Sequence, residues 1–379
     1  MYLTQPLLPT LSRTYGVSAT AASTTISALL LTIAFVSSAY GPLGEVVGQK
    51  SVMVWGATLL ALATLGCAFA PNFGVLVGLR ALQGLFVPAV SAVAVAYLGA
   101  LRGQRDPGGL VGIYIGATVL GGLSGRVGSG LIADAWSWRV SFIVFTFVTL
   151  AAAVALAIAV PARPAAPRAN IGAAFRTAYA DMAAHFTDTR LLGAFVVGAT
   201  LFFGFIGLFT YLPYLLSAPP FSLSTGAVAW IYASYVAGVF TAPLAGRLSA
   251  RFPRRALMAG GFAIALGGVA LTTAPALGTI VCGTIVLCIG MFTAQAIAPA
   301  YVNVTARVAK GGANALYQAF YYVGAVLGST LPGIAWERFG WHGVALTCGA
   351  SLAIGLVASL AFCHEGEDPG APRDLAVSR

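Results

Sequence analysis

Charge is what this chain has least of. Of its 379 residues 8% are charged, ten are acidic and three are histidine, while 59% are apolar. A soluble globular domain carries about 25% charged residues, so water is excluded as the main solvent, in keeping with a mean hydropathy of +0.90. The five cysteines, Cys67, Cys282, Cys288, Cys348 and Cys363, fall in apolar segments without the spacing of a disulfide framework or a metal site. His185, His342 and His364 are scattered near loops, no GxxxxGK[ST] phosphate loop occurs, and the few acids are not paired, so catalytic residues, a metal and a cofactor are all expected to be absent. A basic leader is also lacking, so the first apolar helix is expected to stay in the mature protein.

What fills the chain is apolar stretches of membrane-crossing length, a bilayer core of about 30 Å needing roughly 20 such residues per helix. Turn signals divide them into spans near 24–44, 52–70, 74–99, 109–133, 139–160, 191–216, 225–246, 256–275, 278–302, 313–336 and 343–363. β-Barrel strands would read as short alternating segments, which these are not. Residues 2–9, Tyr-Leu-Thr-Gln-Pro-Leu-Leu-Pro, form an apolar stub too short to cross, and an even number of spans would make this stub the end of a first helix that begins upstream of Met1.

The net charge of +10 lies in the short breaks rather than in one patch, which argues against nucleic acid as a partner. Lys50, Arg102, Arg105, Arg163, Arg168, Arg176, Arg190, Arg247, Arg251, Arg254, Arg255, Arg307 and Lys310 alternate onto one side, with little more than Arg13, Arg139 and Arg338 on the other. The basic side reads as cytoplasmic, together with the tail at 364–379. In the break at 161–190, Ile171, Phe175, Tyr179, Met182 and Phe186 recur at three- and four-residue spacing, which predicts an amphipathic helix on the inner membrane surface tethering bundles at 1–160 and 191–363.

The two bundles read as one repeat. Gly121, Gly125, Gly130 and Trp138 return as Gly324, Gly328, Gly333 and Trp341, each pair 203 positions apart. Gly41 to Met53 aligns with Gly246 to Met258 at a separation of 205, and Pro6 falls opposite Pro213. Parallel six-helix repeats about an axis along the membrane normal are a plan of secondary transporters, whose bundles rock around a central site.

The segment Gly41 to Lys50 resembles the loop between the second and third helices of the major facilitator superfamily, with Glu45 for the usual aspartate, Val46 for the usual base, and Gly48 and Lys50 matching. Arg80-Ala-Leu-Gln83-Gly84 is similar to the family's fourth-helix arginine motif, and Gly116 to Gly125 to the glycine-rich motif of exporters, without its proline. Tyr2 to Pro9 resembles the bacterial branch of drug or sugar-like efflux permeases. The resemblance implies an all-α membrane protein with the major facilitator fold of two six-helix bundles, twelve helices with the first truncated. It further implies a monomer in the bacterial inner membrane, embedded in lipid, that exports a small organic solute or drug against a coupling ion expected to be the proton. It assigns Gly41, Glu45, Gly48 and Lys50 to a gating loop. Spans one, four, seven and ten line the family's path, which makes Tyr2, Gln5, Gln83, Tyr211 and Gln295 candidate polar contacts, with Gln318, Tyr321 and Tyr322 beside them; interhelical hydrogen bonding is the plainer role for each glutamine.

Two charges stand inside spans. Arg80 and Arg126 each lie about two helical turns, roughly 10–12 Å, from the outer boundary. A buried arginine marks a cavity or gate unless it snorkels or pairs with backbone carbonyls. Acids are missing at mid-span, so a proton relay would have to use Glu45, Asp134, an upstream residue or the solute itself. Two arginines without intramembrane acids favour an anionic solute, whereas Phe202, Phe203, Phe205, Phe209, Met291 and Phe292 favour an apolar cavity for amphipathic compounds. An uptake carrier or exchanger for an anionic metabolite therefore stands as the alternative to export. An inactive fragment or non-transporting sensor is a further one.

Overall fold

The computed structural model describes residues 2–99, 107–161, 185–306 and 310–364. The amphipathic helix expected over 171–186 lies almost wholly outside these residues, as do most of the 161–190 linker and of the 364–379 tail.

Every described element is helical. The first bundle comprises α1 (Leu8–Tyr15), α2 (Ala19–Val36), α3 (Tyr40–Val47), α4 (Gln49–Ala68), α5 (Phe73–Gly99), α6 (Pro107–Ala135) and α7 (Trp138–Ala159). The second comprises α8 (Thr189–Ser217), α9 (Thr225–Ala229), α10 (Val236–Leu248), α11 (Arg254–Leu271), α12 (Leu277–Thr305) and α13 (Lys310–Phe362). Nine helical runs among the described residues are long and apolar enough to cross a membrane. The short pairs α2–α3 and α9–α10 each act as one span, and α13 supplies two, which accounts for the two-times-six plan.

Helix starts follow side-chain chemistry. Ser18, Ser137 and Ser224 each accept the backbone N–H three residues on and so open α2, α7 and α9. Asp188 does the same for α8 through the Arg190 N–H at 2.9 Å. Burial raises the Asp188 carboxyl, yet its hydrogen bonds from Arg190 outweigh that and hold it below the usual carboxylate range. Prolines at 88, 213, 243, 299 and 332 sit inside helices, as membrane helices tolerate.

Three readings of the sequence need correction. The loop placed at 45–51 is helix on both sides: Glu45 belongs to α3 and Lys50 to α4, and only Gly48, at φ 96°, breaks the run. Hydrogen bonds from Gly48 N to Gly44 O and from Val52 N to Gly48 O carry the ladder across. The span at 24–44 starts earlier, at Ala19, and passes through a 3₁₀ turn at Ser37–Ala39. The break between 336 and 343 is a single residue, Gly340 at φ 58°, ψ −143°, inside α13; glycine reaches this backbone region without the Cβ clash that other residues meet.

The repeat is visible in packing as well as in sequence. Both of its tryptophans are buried near helix ends: Trp138 packs edge-on against Phe142, and Trp341 donates from its indole to Thr272 O at 2.8 Å. In the second bundle Gly324 and Gly328 lie against the backbone of Ala199 and Phe203 on α8, so closely that a side chain at either would meet a carbonyl oxygen. Their counterparts Gly121 and Gly125 face open space.

Candidate functional site

The site is built around Arg126, which α6 carries between the bundles at 3% exposure. Its Nε donates to Gln5 Oε1 at 2.7 Å and one terminal nitrogen donates to Gly122 O at 2.9 Å. The ring of Tyr2 lies 4.2 Å from the guanidinium carbon and that of Tyr235 lies 4.7 Å from it, so the cation is held between aromatic faces of the two bundles. Tyr232 stands further off at 5.6 Å. Ser129, one turn along α6, donates to Leu3 O at 2.8 Å and pins the segment that carries Tyr2 and Gln5. From the other bundle Thr210 meets Gln5 Nε2 at 3.5 Å.

Arginine presents five N–H donors and no acceptor. Among the described residues no carboxylate bonds to Arg126; its Nε and one terminal N–H are committed to Gln5 and Gly122, and the Tyr235 hydroxyl is within polar reach of the guanidinium, which still leaves N–H donors over. The second bundle faces it with an aromatic wall: Phe205 packs 5.0 Å from Tyr235, Phe202 stacks on Tyr321 at 3.8 Å, and Tyr322 stands edge-on to Tyr321. Among the described residues the buried polar atoms of Thr4, Gln295 and Tyr317 are without hydrogen-bond partners, each a group that would gain from one.

Arg80 and Gln83 are placed elsewhere. Arg80 donates to Thr25 O at 2.8 Å and to Gln83 Oε1 at 2.6 Å, and Gln83 passes the bond on to Thr64 Oγ1 at 2.7 Å. This chain ties α2, α4 and α5 together inside the first bundle. Tyr211 is likewise taken up, its hydroxyl donating to Ser329 O at 2.8 Å within the α8–α13 interface. Gln295 is half-buried and Gln318 is exposed. Of the sequence candidates the structure thus gathers Tyr2, Gln5, Arg126, Phe205 and Tyr322. Sequence reasoning missed Tyr232, Tyr235 and Thr210; the three-residue spacing of Tyr232 and Tyr235, on the 3₁₀ turn Trp230–Tyr235, was the available signal.

Hydrogen bonds between the bundles gather at this level and at one end of the molecule. Thr10 meets Thr225 at 3.3 Å, Ser12 meets Tyr214 at 2.7 Å and Ser224 donates to Asp134 at 2.8 Å. No group of three or more His, Cys, Asp or Glu among the described residues could hold a metal ion.

Two helical bundles drawn together at one end around a buried, aromatic-flanked arginine define a polytopic carrier. The comparisons give the family. A family model described as Major Facilitator Superfamily matches residues 1–310 and again 218–376. The chain is 30% identical to the "Inner membrane transport protein YnfM" of Escherichia coli, over 95% of this chain and 85% of that protein. It is also 30% identical to the "Uncharacterized MFS-type transporter YybF" of Bacillus subtilis, over 91% and 85%. Its fold is similar to a D-xylose-proton symporter, with a TM-score of 0.73 at 19% identity over 96% of this chain and 94% of that one. The chain belongs to the major facilitator superfamily: it is a multi-pass membrane protein and a secondary transporter of a small solute, not an enzyme.

Proposed function

We propose that this transporter carries a small organic anion by alternating access, as an uptake carrier or exchanger, with the proton as coupling ion. The observation that carries the reading is Arg126: a buried guanidinium between the bundles, with donors left over and no carboxylate bonded to it among the described residues. A buried charge of this kind costs several kcal/mol unless a partner compensates it. A carboxylate-bearing solute would supply that partner in bidentate geometry. The loop-charge reading makes the end bearing Lys50 and Arg254 cytoplasmic, so the conformation described is closed to the outside. Proton coupling is brought in from the symporter of similar fold. The remaining expectations join the same proposal: a monomer in a bacterial cytoplasmic membrane, with bundles at 1–160 and 191–363 joined by 161–190.

A second reading, export of amphipathic compounds, rests on the aromatic wall of Phe202, Phe205 and Tyr321. Binding decides between them. Tryptophan fluorescence titrations of the purified protein with small aromatic and aliphatic carboxylates, and with their methyl esters, should show saturable binding of the acids alone, lost in Arg126→Gln. Equal binding of acids and esters would instead support the second reading.

A further inference from the structure

The two bundles bring unlike chemistry to the surroundings of Arg126. The first supplies the cation and one ring, that of Tyr2, 4.2 Å from the guanidinium carbon. The second supplies rings in two rows. Phe202, Phe205, Tyr235 and Tyr321 form a buried back row. Phe292 of α12 and Tyr322 of α13 pack against it and are only half-buried, as is Tyr2. Phe292 meets Phe205 and Tyr235 at 6.0 and 6.3 Å with interplanar angles of 73° and 72°. Tyr322 meets Phe202 and Tyr321 at 6.1 and 5.8 Å with angles of 65° and 81°. Among the described residues no ring lies flat on Phe292 or Tyr322, so the stacked contact that an aromatic ring can make is still open on each. Gly238 of α10 lies so close to Phe292 that a side chain there would overlap the ring, which fixes its position.

We infer that the solute of this transporter is an aryl monocarboxylate, its carboxylate on Arg126 and its ring on Phe292 and Tyr322. The inference rests on the anion reading of Arg126 and narrows it to one class of acid. Three rings of the wall are phenylalanines, and the Tyr232 hydroxyl beside them is spent on Phe209 O at 2.9 Å. A polyhydroxylated acid would therefore give up more hydrogen bonds to water here than it regains. A second carboxylate has no cation to meet. Arg80, the other arginine inside a span, donates to Thr25 O and Gln83 Oε1 within the first bundle, and a buried charge without a partner is costly. An aryl ring gains what an aliphatic chain does not, because a ring pair adds about two- to tenfold in affinity beyond the area that it buries.

Matched pairs of acids test it. Benzoate against cyclohexanecarboxylate, and phenylacetate against cyclohexylacetate, are titrated calorimetrically into the purified protein at about pH 7.5, where every carboxyl is ionised. The members of a pair share their charge and outline and differ in the π-system. The saturated ring is the larger apolar body, so area burial alone favours it. The aryl member of each pair should bind about tenfold more tightly, the gain of two ring contacts, and terephthalate should bind more weakly than benzoate. The ratio within each pair should shrink toward one in Phe292→Leu and in Tyr322→Leu, and the parent titrations carry the test if a variant does not fold. Equal affinities within the pairs, tighter binding of the saturated acids or of terephthalate, or a ratio unchanged in both variants would overturn the assignment and leave the anion reading standing. No binding of any acid to folded parent protein would overturn both.

Discussion

The Arg126 guanidinium donates from Nε to Gln5 Oε1 at 2.7 Å, joining residues 121 positions apart and fixing the glycine-rich α6 to the segment ahead of α1. The bond orients the fork of the arginine. It leaves the charge without a bonded carboxylate among the described residues, and this fixed geometry with unspent donors is the feature on which the proposed anion carriage rests.

Replacing Gln5 tests this division of labour. Gln5→Glu places a carboxylate where the amide oxygen stood, so it should pair with Arg126, keep or raise the thermal unfolding temperature, and abolish anion binding. Gln5→Leu removes the acceptor and should destabilise the protein by about 1–3 kcal/mol, the usual consequence of stranding a buried donor. Differential scanning fluorimetry with a carboxylate titration reads both.

Arg126→Lys keeps the charge and loses the fork. Losing one charge-assisted hydrogen bond of about 1.5–3 kcal/mol corresponds to binding weaker by roughly tenfold to a hundredfold. Titration of R126K beside the parent measures it; equal affinity would mean that charge alone matters.

Gly324 and Gly121 are repeat partners in opposite surroundings. Gly324→Leu drives a side chain into the Ala199 carbonyl on α8 and should cost about 3 kcal/mol or more. Gly121→Leu, which meets nothing within 4 Å, should leave folding close to that of the parent. Yield of monodisperse protein and unfolding temperature compare the two.

Gly48 holds a φ of 96° between α3 and α4. Gly48→Ala forces a Cβ into a backbone region that side-chain-bearing residues rarely adopt, at about 1–3 kcal/mol. The unfolding temperature should fall accordingly, and a silent substitution would show that the junction relaxes.

Much of this architecture was legible in the sequence, because membrane spans are written as long apolar runs and the repeat as glycines at constant separation. Helix ends were less so. The 45–51 segment looks like a loop because Gly41, Gly44 and Gly48 resemble turn residues, yet helical hydrogen bonding runs through it, and only the backbone angle of Gly48 departs from the helix. The Trp230–Tyr235 turn was hidden for the opposite reason: its residues are apolar enough to read as uninterrupted helix. At the site, Arg126 stood out as a charge in an apolar run, whereas which glutamines reach it depends on how helices rotate in the bundle. Gln5 meets Arg126 and Gln83 turns inward to Arg80, a difference that side-chain type does not encode. Tyr235 was missed since an aromatic residue in a membrane span is more often packing than function.

The most direct test is proton flux in proteoliposomes carrying an internal pH dye, with an imposed pH gradient and a panel of anionic, cationic and neutral solutes. Flux evoked by the anionic solutes, and abolished in Arg126→Gln, is the outcome that proton-coupled anion carriage around Arg126 predicts. Flux evoked by cationic or neutral solutes and unchanged in that variant would contradict it.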